Sequence, residues 1–282
     1  MTNHESLTIA LTYDLKSDYD PNDPNVPPEA LAEFAKQETI TAIFDAMKAL
    51  GHFPILVGNI MHLVEALTAG KHREWDLAFN IAEGLHGTAR VAQIPSILEA
   101  FQVSCLFSDA RTMSLMHDKA LTKVVMRDVG VRTAPSTLIK SEDTFNGFDQ
   151  AQWISRLGLE EYGDSRGLDL FIKLNAEGTS KGTGAEAEIL DVTEMLWPAE
   201  MPSFCTWFSK IEGEEGKDWA EQAVKGCNDD EVVNVEKLAL QAWSAMGCRD
   251  SGRIDIRSKG WGPDAEPHVL EVIMAIPSLS SL

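Results

Sequence analysis

The chain has 282 residues, 44% hydrophobic and 24% charged, with 44 acidic side chains against 24 lysines and arginines and a formal net charge of −20. That length holds two or three lobes and a sizeable core, while the acidic balance excludes the broad basic face that nucleic acid or anionic lipid requires. No apolar run approaches the ~18 residues of a membrane span and Met1 to Ser6 lacks a basic and then apolar leader, so a cytoplasmic protein is expected.

Four cysteines, Cys105, Cys205, Cys227 and Cys248, are scattered without a Cys-x-x-Cys, so reduced structural thiols are expected rather than zinc or disulfides. Leu7 to Tyr13 alternates as a strand. Asp14 to Pro28, crowded with Asp, Asn and Pro, reads as an exposed acidic loop. From Glu29 to Leu50 apolar residues recur at helical spacing, ending at Gly51. Phe53 to Val57 is a second strand, Met61 to Ala69 a helix with Asn59 as its cap, and Trp75 to Asn80 a third strand. This strand–helix alternation predicts a small parallel sheet with helices on its faces. Ligands approach the carboxyl ends of such strands, which singles out Asn80, Glu83 and Gly84.

Thr88 to Phe101 is helical in pattern, with Pro95 near a break or a start, and Ser104 to Phe107 would add a fourth strand. Asp109 to Met116 and Lys119 to Val129 follow as helices. The second carries Lys119, Lys123 and Arg127, with Arg132 just beyond; a solvated basic face is the simpler reading. Ala134 to Lys140 is extended, and a helix is expected near Gln150 to Leu157. Ala185 to Asp191 reads as a strand, Val192 to Asn228 has no clear period, and Glu231 to Met246 is a helix closed by Gly247.

Two stretches carry chemistry. Leu170-Phe-Ile-Lys-Leu-Asn-Ala-Glu-Gly-Thr-Ser-Lys-Gly-Thr-Gly184 runs from an apolar segment bearing Lys173 into a loop of glycines, hydroxyls and Lys181. Such a loop can cradle a polyphosphate on backbone N–H groups, although a strand and a solvated turn have the same composition. Near the end, Arg253 to Arg257 and His268 to Ile273 form two short strands around a turn. On facing strands, Asp255 and Glu271 can chelate a hard divalent cation. A sheet with a charged outer face gives the same pattern.

Asp76-Leu-Ala-Phe-Asn-Ile-Ala-Glu-Gly84, Gln93-Ile-Pro-Ser-Ile-Leu-Glu99, Asp118-Lys-Ala-Leu-Thr-Lys123, Phe171 to Gly182, Gly247-Cys-Arg-Asp-Ser-Gly-Arg-Ile-Asp255 and Leu270-Glu-Val272 stand in one order along the chain. Together they resemble the ATP-grasp superfamily, and more narrowly the D-alanine:D-alanine ligases. The resemblance implies an α/β and α+β ATP-grasp fold: an N-terminal parallel-sheet (pre-ATP-grasp) domain over 1–108, a central small lobe with the phosphate loop over 109–190, and a shortened C-terminal lobe over 191–282.

It implies an ATP-dependent carboxylate–amine ligase working through an acyl phosphate, with ATP and Mg2+ as cofactors. Lys119 and Lys173 match nucleotide lysines, and Glu177, Gly178, Thr179, Ser180, Lys181 and Gly182 match the phosphate loop, Ser180 also serving catalysis. Arg253 matches the arginine at the oxyanion, Asp255 and Glu271 match magnesium ligands, and Glu83 and Gly84 lie by the first substrate. The partners implied are small amino-acid-like substrates and a second copy in a homodimer, without nucleic acid or membrane.

The sequence departs from the family in places. Ile273 and Met274 stand where an asparagine ligand is expected, no adenine-hinge strand is found between Gly184 and Gly247, and Glu83 replaces a histidine. A degenerate ATP-grasp protein that binds a nucleotide or a partner without turnover is the alternative that these departures motivate.

Overall fold

The computed structural model describes residues 5–20, 34–138, 155–157, 175, 193–196, 220–223, 230–259 and 265–273. Three parallel strands form the N-terminal sheet: β1 (Thr8–Tyr13), β2 (Phe53–Gly58) and β3 (Leu77–Ile81), in the order β2-β1-β3. The central strand is buried on both faces because its alternate side chains enter two cores. Ile9 and Leu11 meet Ile40, Ile43 and Met47 of α1 (Gln37–Ala49) on one side. Ala10 meets Leu63 and Leu67 of α2 (Ile60–Thr68) and Ile94 and Leu98 of α3 (Gln93–Ala100) on the other. Each large apolar side chain so buried contributes roughly 1.5–3 kcal/mol.

Local chemistry fixes the helix starts. Asn59 accepts from the backbone N–H groups of Met61 and His62, so α2 begins where a cap was expected. The first long helix begins later than its periodicity indicates. Phe34 lies against the Tyr19 ring at 4.8 Å and Ala35 bridges Leu15, which commits those residues to the end of β1 before the helix can start. Residues 29–33 lie outside the described residues. The expected fourth strand reduces to a single bridge, Ala78 to Cys105, because Phe107 turns into the left-handed region at φ 75° and ends the extension.

A second core joins α4 (Ala110–His117), α5 (Lys119–Asp128), α6 (Asp230–Met246) and an antiparallel hairpin of β6 (Arg253–Lys259) and β7 (Glu266–Ile273). Met113, Met116, Met126, Leu238, Ala242, Val269 and Val272 fill it, with Ile254 and Ile256 packed on its edge. Asp109 caps α4 through the Thr112 N–H, and Asp118 caps α5 through the Leu121 N–H. Between β3 and the hairpin, the Asp250 carboxylate accepts from the Phe107 N–H at 2.6 Å and Arg249 donates to the Phe107 carbonyl at 3.0 Å, tying the exit from the N-terminal sheet to the second core.

In the stretch without period, β4 (Thr193–Leu196) and β5 (Ala220–Ala223) pair antiparallel. Among the described residues no helix is long and apolar enough to cross a membrane. Among the described residues, Phe53, Ile55 and Leu56 of the outer strand β2, with Leu50 and Met61 on the flanking helix ends, form an exposed apolar group.

Candidate functional site

The described residues place the candidate positions in two groups. At the carboxyl ends of β1 and β3, Asn80 is a structural residue: its Oδ1 accepts from the Thr12 hydroxyl at 2.8 Å and the Ala82 N–H at 3.1 Å, setting the direction of the chain after β3. Glu83 is buried, and the turn it makes with Gly84 is clamped from two sides. The Gly84 N–H donates to Asp14 Oδ2 at 2.8 Å, while Arg90 Nη1 donates to the carbonyls of both Glu83 and Gly84 at 3.1 Å.

Gly84 is required here. Its φ is +70°, and a Cβ built on it would stand 2.7 Å from the Arg90 carbonyl oxygen. Asp14, the first residue of the expected acidic loop, is instead buried at 2% exposure. Its second oxygen accepts from the Tyr19 hydroxyl at 2.6 Å, so the carboxylate is satisfied by partners that local composition does not reveal. Burial and that hydrogen bond push the Tyr19 phenol well above its ordinary pKa.

The second group sits on the hairpin. Asp255 on β6 is registered opposite Glu271 on β7, and the register shifts between Asp255 and Ile256, so that Ile256 pairs with Val269 and Leu270 is the extra residue. The bulge explains the spacing of the apolar residues. Val269 and Val272, three apart, are both buried in the same core, which strict alternation forbids and one inserted residue allows. It leaves the two carboxylates as direct cross-strand neighbours, whose Cβ atoms in such pairs lie roughly 4.5–5.5 Å apart.

Each carboxylate holds a cation. Lys119 Nζ lies 3.0 Å from Glu271 Oε1, both side chains being only 16% exposed. Arg253 Nε and Nη2 donate to the two oxygens of Asp255 at 2.7 and 3.3 Å, in a more open setting. Among the described residues no three His, Cys, Asp or Glu side chains converge as a metal cluster. Lys173, Glu177, Gly178, Thr179, Ser180, Lys181 and Gly182 lie outside the described residues.

Asn175, within the same stretch, is a position that sequence reading passed over. Its carbonyl accepts from the Lys119 N–H at 3.1 Å and its Oδ1 from the Ala120 N–H at 2.9 Å, satisfying two of the otherwise orphaned donors at the start of α5. Asn175 is thereby fastened beside Lys119. The only signal was an Asn amid apolar and small residues. Of the other bases, Lys123 turns inward to donate to the Thr133 hydroxyl at 2.9 Å, which in turn donates to the Val269 carbonyl at 2.9 Å, whereas Arg127 and Arg132 are exposed.

No family model matches the chain. It is 24% identical over 269 residues to a D-alanine–D-alanine ligase of Xanthomonas axonopodis pv. citri, covering 85% of this chain and 79% of that protein. It is also 24% identical over 233 residues to the uncharacterized protein y4sG of Sinorhizobium fredii, covering 73% of this chain and 66% of that one. Among solved structures, the VanG D-Ala:D-Ser ligase of Enterococcus faecalis superposes with a TM-score of 0.56 at 13% identity, over 96% of this chain and 90% of that chain.

Proposed function

We propose that this chain, a D-alanine–D-alanine ligase-like protein with the ATP-grasp fold, is an ATP-dependent carboxylate–amine ligase that joins two amino-acid-like substrates in the cytoplasm. The observation that carries this reading is the hairpin, where Asp255 and Glu271 stand opposite one another with Arg253 and Lys119 upon them. ATP phosphorylates the carboxylate of the first substrate. The amine of the second then attacks the acyl carbon, and phosphate leaves through a tetrahedral oxyanion.

Arg253 is the fixed cation for that oxyanion, and Lys119 and Lys173 oppose the triphosphate charge. Glu177 to Gly182, with the Ser180 hydroxyl, supplies donors to the phosphates. Two carboxylates completed by phosphate oxygens and water are a donor set that suits magnesium. Held by Asp255 and Glu271, such an ion would supply positive charge to the phosphates. The Glu83–Gly84 turn, held by Asp14 and Arg90, faces the first substrate. The reading divides the chain into lobes at 1–108, 109–190 and 191–282, with two copies pairing through the apolar edge around Phe53 and Met61.

The test is release of ADP and phosphate that requires both magnesium and an amino-acid pair, assayed across a broad panel. Asp255→Asn is expected to lower turnover more than nucleotide binding, and Lys173→Ala to weaken nucleotide binding. Equal rates and affinities in both variants would refute the assignment. One observation favours a second reading, a nucleotide binder without turnover: Ile273 ends β7 where a third ligand is expected. Thermal stabilisation by ATP with magnesium, and no product from any pair, selects it.

A further inference from the structure

Four charges meet at the hairpin, Lys119 of α5 on Glu271 and Arg253 on Asp255, with the two acids cross-strand neighbours. The pairs are not equivalent. Arg253 and Asp255 are about half and a third exposed, where water screens the attraction, and both belong to the same strand two residues apart. Lys119 and Glu271 come from different elements and are largely withdrawn from solvent.

Lys119 is also misplaced for a helix. It is the first residue of α5, directly after the Asp118 cap, so its ammonium lies at the positive end of the helix dipole. The Asp118 cap offsets the dipole, and Glu271 faces the lysine. The backbone there is fixed by Asn175 and by the Asp118 cap, which leaves motion to the four-carbon stem of the side chain. A lysine is a compact, hydrated charge on a flexible stem, the side chain best able to exchange one anion for another.

Resting on the ligase reading above, we propose that in the ligand-free protein the Lys119 ammonium occupies the place of the divalent cation on Glu271, and that it transfers to the nucleotide phosphates when ion and nucleotide enter together. Free metal must then compete with a resident cation, and free nucleotide must draw Lys119 from its carboxylate. Each ligand removes the obstacle to the other. The metal takes Glu271 as the phosphates take Lys119, and this coupling is reciprocal by linkage.

The consequence has an unusual sign: removing a lysine from the nucleotide site should tighten metal binding. Manganese(II), a paramagnetic stand-in for magnesium, is titrated into wild-type protein and Lys119→Met without nucleotide, and free ion is counted by electron paramagnetic resonance. Lys119→Met keeps the aliphatic stem, and thermal melting checks that it is folded. Lys119→Met is expected to bind manganese roughly tenfold more tightly, the effect of removing a unit charge about 5 Å from a divalent ion in water-like surroundings. Lys237→Met is the matched control. It removes the same charge from an exposed position in a groove with Val129 and Gly130, at the far end of α5. It should leave manganese affinity unchanged, and adding Glu271→Gln to Lys119→Met should abolish the gain.

Equal or weaker binding by Lys119→Met would overturn the inference while leaving the ligase reading standing. The same is true if Lys237→Met tightens binding as much, or if the gain survives Glu271→Gln. Absence of manganese binding from every protein at millimolar ion would overturn it together with the metal site of the proposed reaction.

Discussion

Replacing Gly84 with alanine tests the clamp at the end of β3, and its cost separates into two parts. A residue with a Cβ at φ +70° meets the left-handed penalty, roughly 1–2 kcal/mol. The added methyl also stands 2.7 Å from the Arg90 carbonyl oxygen and 3.0 Å from its carbon, both backbone atoms that yield only if the turn moves. Such overpacking costs roughly 1–3 kcal/mol more, so Gly84→Ala should destabilise by about 2–5 kcal/mol. Gly130 supplies the comparison: its φ is +75°, but nothing lies within 4 Å of a Cβ there. Gly130→Ala should show the conformational penalty alone. Urea denaturation of both variants, with unchanged m-values, measures the difference directly. If the two substitutions cost the same within about 0.5 kcal/mol, the close approach of Arg90 to the turn is wrong. In the ligase assay Gly84→Ala should raise KM for the first substrate and leave nucleotide affinity near wild type.

Asp14→Ala strips the partner from the Gly84 N–H and the Tyr19 hydroxyl together, so it should cost about 1–3 kcal/mol more than Tyr19→Phe; equal unfolding midpoints would argue against the shared carboxylate. Burial opposes ionisation of Asp109, but hydrogen bonds from Thr112 and the charges of Arg111 and Arg249 outweigh it and hold the pKa below the usual carboxylate value. A depressed folded-state pKa stabilises above the unfolded pKa, and that contribution is lost as pH falls through the folded value. The Tm gap between wild type and Asp109→Asn should therefore narrow as pH drops below about 4, and a gap constant with pH would contradict this. Burial pushes the Cys248 thiol up to about 12, so its alkylation by iodoacetamide at pH 8 should wait on unfolding, read from the Cys248 peptide by mass spectrometry. Rapid labelling of native protein would exclude the buried environment.

Periodicity exposed the elements that bury a regular stripe or face, among them β1, β2, α2, α6 and the hairpin strands. It was blind where one distant contact decides the conformation. Asp14 belongs by local composition to an acidic loop, yet Gly84, 70 residues away, makes it a buried acceptor. The start of α1 slipped because Ala35 is used by Leu15. The β4–β5 pair was missed because four-residue strands carry too few alternations to register, and each needs the other to exist. At the candidate site the charged residues were legible in order along the chain. The bulge at Leu270 and the lysine resting on Glu271 were not, since each is a property of two elements meeting.

Among the described residues, helix α5 is tied to strand β7 through Lys119 to Glu271 and through Lys123 and Thr133 to Val269. The two lysines are one helical turn apart, about 6 Å between their Cβ atoms. Two anchors on one rod suppress swivelling, whereas a single anchor leaves a pivot. If Glu271 exchanged its lysine for another cation, the Thr133 bridge, the Asn175 hydrogen bonds and the burial of Met126 in the second core would still hold the helix. The start of α5 is thus a rigid mount on which one side chain can change partners without moving the backbone that carries it.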